Sequence, residues 1–282
     1  MKRVLISGEN SYIGTHLEKW LGEYNGKYKV DTIDVKGDSW RLIKFSLYDV
    51  VVHVAGVVHV KECKKNANLY YKVNRDLLYQ IAQKAKTENV KHFIYLSSMS
   101  VYGVENGVIG IDTPLNPRNN YGKSKLQGED LLLALRDEGF KVAIVRPPMV
   151  YGQNCKGNYI KLTKVVTKIP IFPDINNSRS MIYIENLCEF LRLLIDDCAN
   201  GYFFPQNKEY VNTSEMAKMI AYEHGKRLLM IKFLNPTIKG LKIKLFLKIF
   251  GDLVYDKNIS TYNKEYCVRD FRSSISRSEG NL

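Results

Sequence analysis

Val4-Leu5-Ile6-Ser7-Gly8-Glu9-Asn10-Ser11-Tyr12-Ile13-Gly14 is the stretch that decides the fold. Three apolar residues run into a glycine, and a second glycine follows after five intervening residues. Leu17, Trp20, Leu21 and Tyr24 then recur at helical spacing and give one apolar face. The pattern is a strand, a tight glycine turn and a helix. Gly8 permits the turn, and Gly14 lets helix and strand pack closely. Backbone N–H groups of Ser11, Tyr12 and Ile13 lie at the predicted helix N-terminus, where an anionic pyrophosphate is favoured.

The alternation continues outward from this turn. Tyr28 to Asp34 reads as a second strand. Asp49 to Ala55 reads as a third, almost wholly apolar, as a central parallel strand is. A long helix is predicted over Tyr70 to Glu88, a strand over His92 to Ser97 and a helix over Ser124 to Glu138. A strand over Lys141 to Val145 is stopped by Pro147-Pro148. Strands alternating with helices imply a parallel sheet covered on both faces. The expected class is α/β, a Rossmann-like doubly wound parallel sheet, with a dinucleotide-binding domain over residues 1–150. A smaller substrate-binding lobe is expected over 151–282, interleaved with the last strand and helices of the sheet. It holds a helix near Glu185 to Asp196, a strand at Tyr202-Phe203-Phe204 and a helix near Ser214 to His224. From Leu234 onward no clear pattern is readable. Asp34 closes the second strand twenty residues after Gly14. A carboxylate there accepts hydrogen bonds from the adenosine ribose and repels a 2′-phosphate, which favours NAD over NADP. Lys36, two residues on, pulls the other way.

Composition fits this frame. The chain has 282 residues, 45% hydrophobic and 25% charged, enough for one large core and a smaller lobe. No apolar run approaches the roughly 18 residues of a membrane span. The N-terminus lacks a signal-peptide pattern, and the five cysteines show no C-x-x-C spacing. Reduced thiols and a cytoplasmic location are expected, with no metal site. The formal net charge of +13 attracts anions. No zinc spacing, basic zipper or RNA-recognition signature accompanies it, so nucleic acid is not an expected partner. Lys239, Lys242, Lys244 and Lys248 stand among apolar residues between Lys232 and Phe250. On a helical wheel they spread around the axis. Two readings stay open: a lobe helix whose lysine stems cover apolar surface, or weak peripheral contact with an anionic membrane.

Tyr121-Gly122-Lys123-Ser124-Lys125 places Tyr121 and Lys125 four apart, on one face of a helix. It follows Ser97-Ser98-Met99-Ser100-Val101-Tyr102-Gly103, a serine cluster at a strand end, with Tyr121 23 residues after Ser98. With the glycine turn, Asp34, Val54-Ala55-Gly56, Val73-Asn74, Arg146-Pro147-Pro148 and Arg179-Ser180-Met181-Ile182-Tyr183-Ile184, these segments carry a resemblance over roughly residues 1–190. The chain resembles the extended short-chain dehydrogenases/reductases of the NAD-dependent epimerase/dehydratase family, UDP-glucose 4-epimerases among them.

The resemblance implies catalysis by Ser98, Tyr121 and Lys125. Tyr121 is the acid/base, brought into range by positive charge from Lys125 and the nicotinamide. Lys125 also holds the nicotinamide ribose, and Ser98, matched to the family pattern in preference to Ser97, positions the reacting oxygen. Ser100 is a second substrate contact. Ala55, Gly56, Asn74 and Pro148 join the glycine turn and Asp34 around the cofactor, NAD. Arg179 grips the substrate diphosphate with a forked donor, and Asn158 is a second phosphate contact. The implied partner is a nucleotide sugar, a UDP-hexose first, handled by a homodimer in the synthesis of surface polysaccharide precursors.

Three departures accompany the resemblance. Ser11 replaces the middle glycine of the family turn, and its small hydroxyl is able to donate to a phosphate. Only fifteen residues separate Asp34 from Val50, where the family fits a strand and a helix, so the adenine side is trimmed. Met149 stands where the family has an asparagine. The acids that related dehydratases and decarboxylases carry just after the serine are replaced here by Met99-Ser100. What remains is 4-epimerisation, with 4-keto reduction as the alternative and a non-catalytic dinucleotide-binding protein as a third reading.

Overall fold

The computed structural model describes residues 1–58, 60, 62–63, 66–232 and 250–280, so the lysine-rich reading of Lys239 to Lys248 lies outside the described residues. The chain divides into two compact units. The first takes residues 1–103, 114–147 and 187–205; the second takes 104–113, 148–186 and 206–282.

The first unit is built on a six-stranded parallel sheet. Its strands are β1 (Lys2–Ser7), β2 (Tyr28–Ile33), β3 (Val50–His53), β4 (His92–Leu96), β6 (Lys141–Val145) and β10 (Gly201–Phe203), in the order β10-β6-β4-β3-β1-β2. β3 and β4 are buried at every residue, which explains their unbroken apolar composition. Pleating sends Leu5, Val51 and Phe93 to one face, where they meet Leu78, Ile81, Ala82 and Ala85 of α3 (Leu78–Thr87) and Leu132 of α4 (Asn120–Leu135). Val4 and Ile6 face the other way, towards Leu17 and Leu21 of α1 (Tyr12–Gly22). Trp20 of α1 donates to Glu189 of α6 (Ile184–Asp197) at 3.0 Å, tying those two helices together. This is the doubly wound, Rossmann-like α/β arrangement. Strand order reverses about β1 and β3, and the crevice at such a reversal is where this architecture holds ligands.

The elements differ from the sequence reading in two informative places and agree with it in a third. The helix expected over Tyr70 to Glu88 is interrupted: α2 (Ala67–Tyr71) passes through a π-helical stretch, Lys72–Leu77, before α3. The helix expected from Ser124 begins at Asn120, because the Asn119 side chain accepts from Gly122 N at 2.8 Å and caps it. Between β2 and β3 there are only two short 3₁₀ turns, Ser39–Leu42 and Phe45–Leu47, so the crossover is indeed trimmed.

The second unit holds three two-stranded parallel pairs: β5 (Gly107–Ile109) with β12 (Leu253–Tyr255), β7 (Met149–Tyr151) with β9 (Met181–Tyr183), and β8 (Ile171–Pro173) with β11 (Leu229–Ile231). Among the described residues this unit also holds helices α5 (Asn158–Val166), α7 (Thr213–Glu223) and α8 (Phe271–Ser278). The five cysteines are free thiols. Among the described residues no helix is long and apolar enough to cross a membrane, and no group of three or more His, Cys, Asp or Glu is placed to hold a metal.

Candidate active site

The glycine turn sits just past the end of β1. Gly8 has φ +123°, a conformation that side-chain-bearing residues rarely adopt. A Cβ there would stand 2.9 Å from the Ala55 nitrogen, so only glycine lets this turn close on the end of β3. Gly8 N and Glu9 N both donate to the Ile33 carbonyl at 3.0 Å, which brings the end of β2, and with it Asp34, beside the turn. Ser11 caps α1 by accepting from Gly14 N at 3.1 Å, and its hydroxyl hydrogen is not used in that bond. Asp34 is exposed, one residue past β2, with one carboxylate oxygen accepting from Lys36 N at 2.9 Å.

Ser98 follows β4 and caps a 3₁₀ turn, Met99–Tyr102. Its Oγ accepts from Ser100 N and donates to Ser100 Oγ, both at 3.1 Å. Ser98 is close enough to the Tyr121 hydroxyl to lower its pKa, so Ser98, Ser100 and Tyr121 come together. Tyr121 lies in the first turn of α4, with Tyr70 edge-on to its ring at 6.5 Å. Burial pushes its pKa up, nearby Ser98 works against that, and Tyr70 adds to the rise. Lys125, one turn on, is buried; its ammonium donates to the Leu96 carbonyl at 2.7 Å and lies 4.7 Å from the Tyr95 ring centre. Desolvation pulls its pKa down to about 7, with Glu129 opposing. His53, fully buried at the end of β3, is held neutral by burial and by Lys125, its pKa driven down to about 3. Its Nδ1 pairs with Ser7 Oγ at 2.7 Å.

Asn74 lies in the π-helical stretch and is fully buried. Its carbonyl oxygen accepts from Val57 N at 2.8 Å, and its amide donates to Val57 O and Ser124 Oγ, both at 3.1 Å. It ties the loop after Gly56 to α4, the helix that carries Tyr121 and Lys125. A π insertion at a functional position is a recurrent use of that geometry. In the second unit, Pro148 is buried, Asn158 is exposed at the start of α5, and Arg179 donates to the Gly251 carbonyl at 2.8 Å. Burial lowers the Arg179 pKa, and Asp252 partly restores it.

One buried network escaped the sequence reading. Glu129 accepts from Ser97 Oγ and pairs with Arg146 at 2.5 Å. Arg146 donates to Tyr102 Oη at 2.9 Å and lies 4.4 Å from the centre of the Tyr202 ring. The end of β4, α4 and the end of β6 are thereby locked around the serine cluster. The signal was present: Tyr121, Lys125 and Glu129 stand at i, i+4 and i+8, one face of one helix.

These residues fit a dinucleotide. A helix N-terminus with its outward N–H groups, a carboxylate past β2 and a buried ammonium past β4 all lie at the carboxyl ends of neighbouring strands. The turn leaves no room for a side chain between the strand ends and that helix. Ser98 and Tyr121 bring together two hydroxyls, groups able to pass a proton.

Comparison with known proteins agrees. The profile of the "NAD dependent epimerase/dehydratase family" matches residues 4–204. A UDP-glucose 4-epimerase of Vibrio cholerae is 31% identical over 279 residues, covering 89% of this chain and 83% of the relative. An N-acetyl-alpha-D-glucosaminyl-diphospho-ditrans,octacis-undecaprenol 4-epimerase of Escherichia coli O157:H7 is 25% identical, covering 95% of this chain and 83% of the relative. Among solved structures, a UDP-glucuronic acid 4-epimerase from Bacillus cereus in complex with NAD shares the fold, with TM-score 0.76, 19% identity and coverage of 98% and 97%.

Proposed function

Because the chain belongs to the NAD dependent epimerase/dehydratase family, we propose that it interconverts the C4 epimers of a nucleotide-linked hexose, UDP-hexoses first. It is an enzyme of a family that acts on sugar nucleotides with a nicotinamide cofactor. The observation that carries the finer reading is the meeting of Ser98 with Tyr121, one helical turn from the buried Lys125.

Each side chain then has a task. Ser98 holds the C4 oxygen of the sugar against Tyr121 and fixes the direction of proton transfer. Tyr121 takes the hydroxyl proton and returns it after the ring has turned. Burial alone keeps its hydroxyl protonated, so it needs positive charge near it, and Lys125 stands one helical turn away to supply one. Gly8, Ser11, Tyr12, Ile13, Gly14, Asp34, Ala55 and Gly56 are assigned to the dinucleotide, with Asn74 fixing the Gly56 loop. Held by those residues, NAD would supply the hydride acceptor and donor that epimerisation at the sugar carbon requires. Arg179 and Asn158 are assigned to the diphosphate and Pro148 to the nicotinamide end, as the resemblance implies. Met99 and Ser100 carry no carboxylic acid, so elimination of water lacks its acid/base pair.

The test is incubation of the purified protein, with no added cofactor, with hexoses on uridine, thymidine and lipid diphosphate carriers. The expected result is a C4 epimer of one of them, resolved by NMR or ion-exchange chromatography. Failure to epimerise any of them, with reduction of a 4-keto sugar only on addition of NADPH, would replace the epimerase reading with the reductase one.

A further inference from the structure

We propose that one face of the second unit, formed by the end of α5, β8 and the loop before β11, docks on an anionic membrane surface. In β8 and β11 the pairing sets Ile171 opposite Leu229, and both are exposed, at 44% and 62%. Phe172, which points the other way, is buried. Val165 and Ile169 are also exposed. Ile169 N donates to the Val165 carbonyl at 3.1 Å, and Leu229 N donates to the Pro170 carbonyl at 2.9 Å. Lys226 donates to the Thr167 carbonyl, strapping the second loop to the first. Four aliphatic side chains are thus gathered on one patch. Beside it lies a shallow cavity of about 400 Å³ lined by Pro170, Ile171, Arg227, Leu228 and Leu229.

The charges on the patch have one sign. Lys164, Lys168, Lys226 and Arg227 are all exposed among these aliphatics. The segments that build the patch belong to two long runs, 139–173 and 224–251, that contain no Asp or Glu. The acids nearest the patch are engaged elsewhere: Asp174 faces Lys232 at 3.8 Å, Glu223 accepts from Ser276 Oγ at 3.1 Å, and Glu279 is bonded to His224 at 2.7 Å. Such a surface calls for a partner with both phosphate and hydrocarbon. A second copy would set lysine against lysine. A nucleic acid would satisfy the cations and leave Ile169, Ile171 and Leu229 in water. The boundary between lipid headgroup and acyl chain accommodates both. The surface is independent of which reaction the first unit performs.

Flotation of the full chain with phosphatidylglycerol/phosphatidylcholine vesicles, and with phosphatidylcholine alone, tests this at about 0.05 M and about 0.5 M salt. Two double variants are compared, Ile171→Ser/Leu229→Ser and Lys168→Glu/Arg227→Glu. All four positions are exposed, and near-ultraviolet circular dichroism checks that both variants fold. We expect binding to the anionic vesicles at low salt, weaker at high salt, and at least about tenfold weaker in each variant. Turnover of a water-soluble sugar nucleotide should be unchanged. Absence of binding at low salt, equal binding to neutral vesicles, or undiminished binding by either variant overturns the proposal. Loss of self-association in the Ile171→Ser/Leu229→Ser variant, without a loss of lipid binding, assigns the face to a second copy instead.

Discussion

Tyr121 and Lys125 are both placed where burial disfavours their charged forms. Tyr121→Phe removes the hydroxyl placed beside Ser98, and turnover should fall by at least about a hundredfold, the usual reach of general acid–base catalysis. Dinucleotide binding, followed by calorimetry, should survive; near-normal turnover would take the acid/base role away from Tyr121. Lys125 gives a second test, read in stability. Its pKa in the folded chain is about 7, against an ordinary lysine value of 10.5. Between those values the unfolded chain binds the extra proton, so this group's contribution grows as pH rises and is lost as pH falls through about 7. Lys125→Met carries no charge to bury. Its melting temperature should gain most on the wild type near pH 6, and that advantage should shrink by pH 9. A difference independent of pH would show that the ammonium is not desolvated as the fold implies. Spacing, combined with the serine cluster that precedes it, revealed the Tyr121–Lys125 pair. It did not reveal the depth at which Lys125 lies, because that is set by Leu96 and Tyr95 on a strand about thirty residues away in sequence.

At the scale of elements, α4 is the part on which the site depends. A Cβ at Gly128 would lie 2.8 Å from the Asn74 carbonyl oxygen and 2.7 Å from Leu78 Cδ2. Glycine there is what allows α4 to approach the π-helical stretch so closely. The next residue, Glu129, is buried and would be costly alone; Arg146 makes it tolerable. Glu129→Leu should leave Arg146 charged, buried and unmatched, at a cost of about 3–5 kcal/mol in urea unfolding. Replacing both, as Glu129→Leu/Arg146→Met, should recover much of it. A single-variant loss below about 1 kcal/mol would mean that water reaches Arg146. The helices around this network were legible from apolar periodicity, which carries no record of how the backbone is hydrogen-bonded. For the same reason the π stretch itself was invisible. The helix start was read four residues late because its first turn is polar and its cap, Asn119, lies in a loop.

For the whole molecule, cofactor choice is the property most open to test. Asp34 stands exposed beside the glycine turn with a carboxylate that would repel a 2′-phosphate, and Lys36 is its neighbour. NAD should bind more tightly than NADP by calorimetry, and Asp34→Ala should narrow the gap. Equal binding of the two by the unaltered chain would contradict the role given to Asp34. The sheet was readable because its strands are buried, apolar and spaced by helices. The second unit was not, because its strands have three residues each and β5 finds its partner, β12, at the far end of the unit's sequence. The interleaving of the units has a consequence for synthesis. β10, which completes the sheet by pairing with β6, and most of α6 lie within 187–205, and residues 148–186 of the other unit are made first. A ribosome must therefore release residue 205 before the sheet has all its strands. Until then β6 offers an unpaired edge to the nascent chain's neighbours, and a product stopped at residue 186 would be expected to need a chaperone.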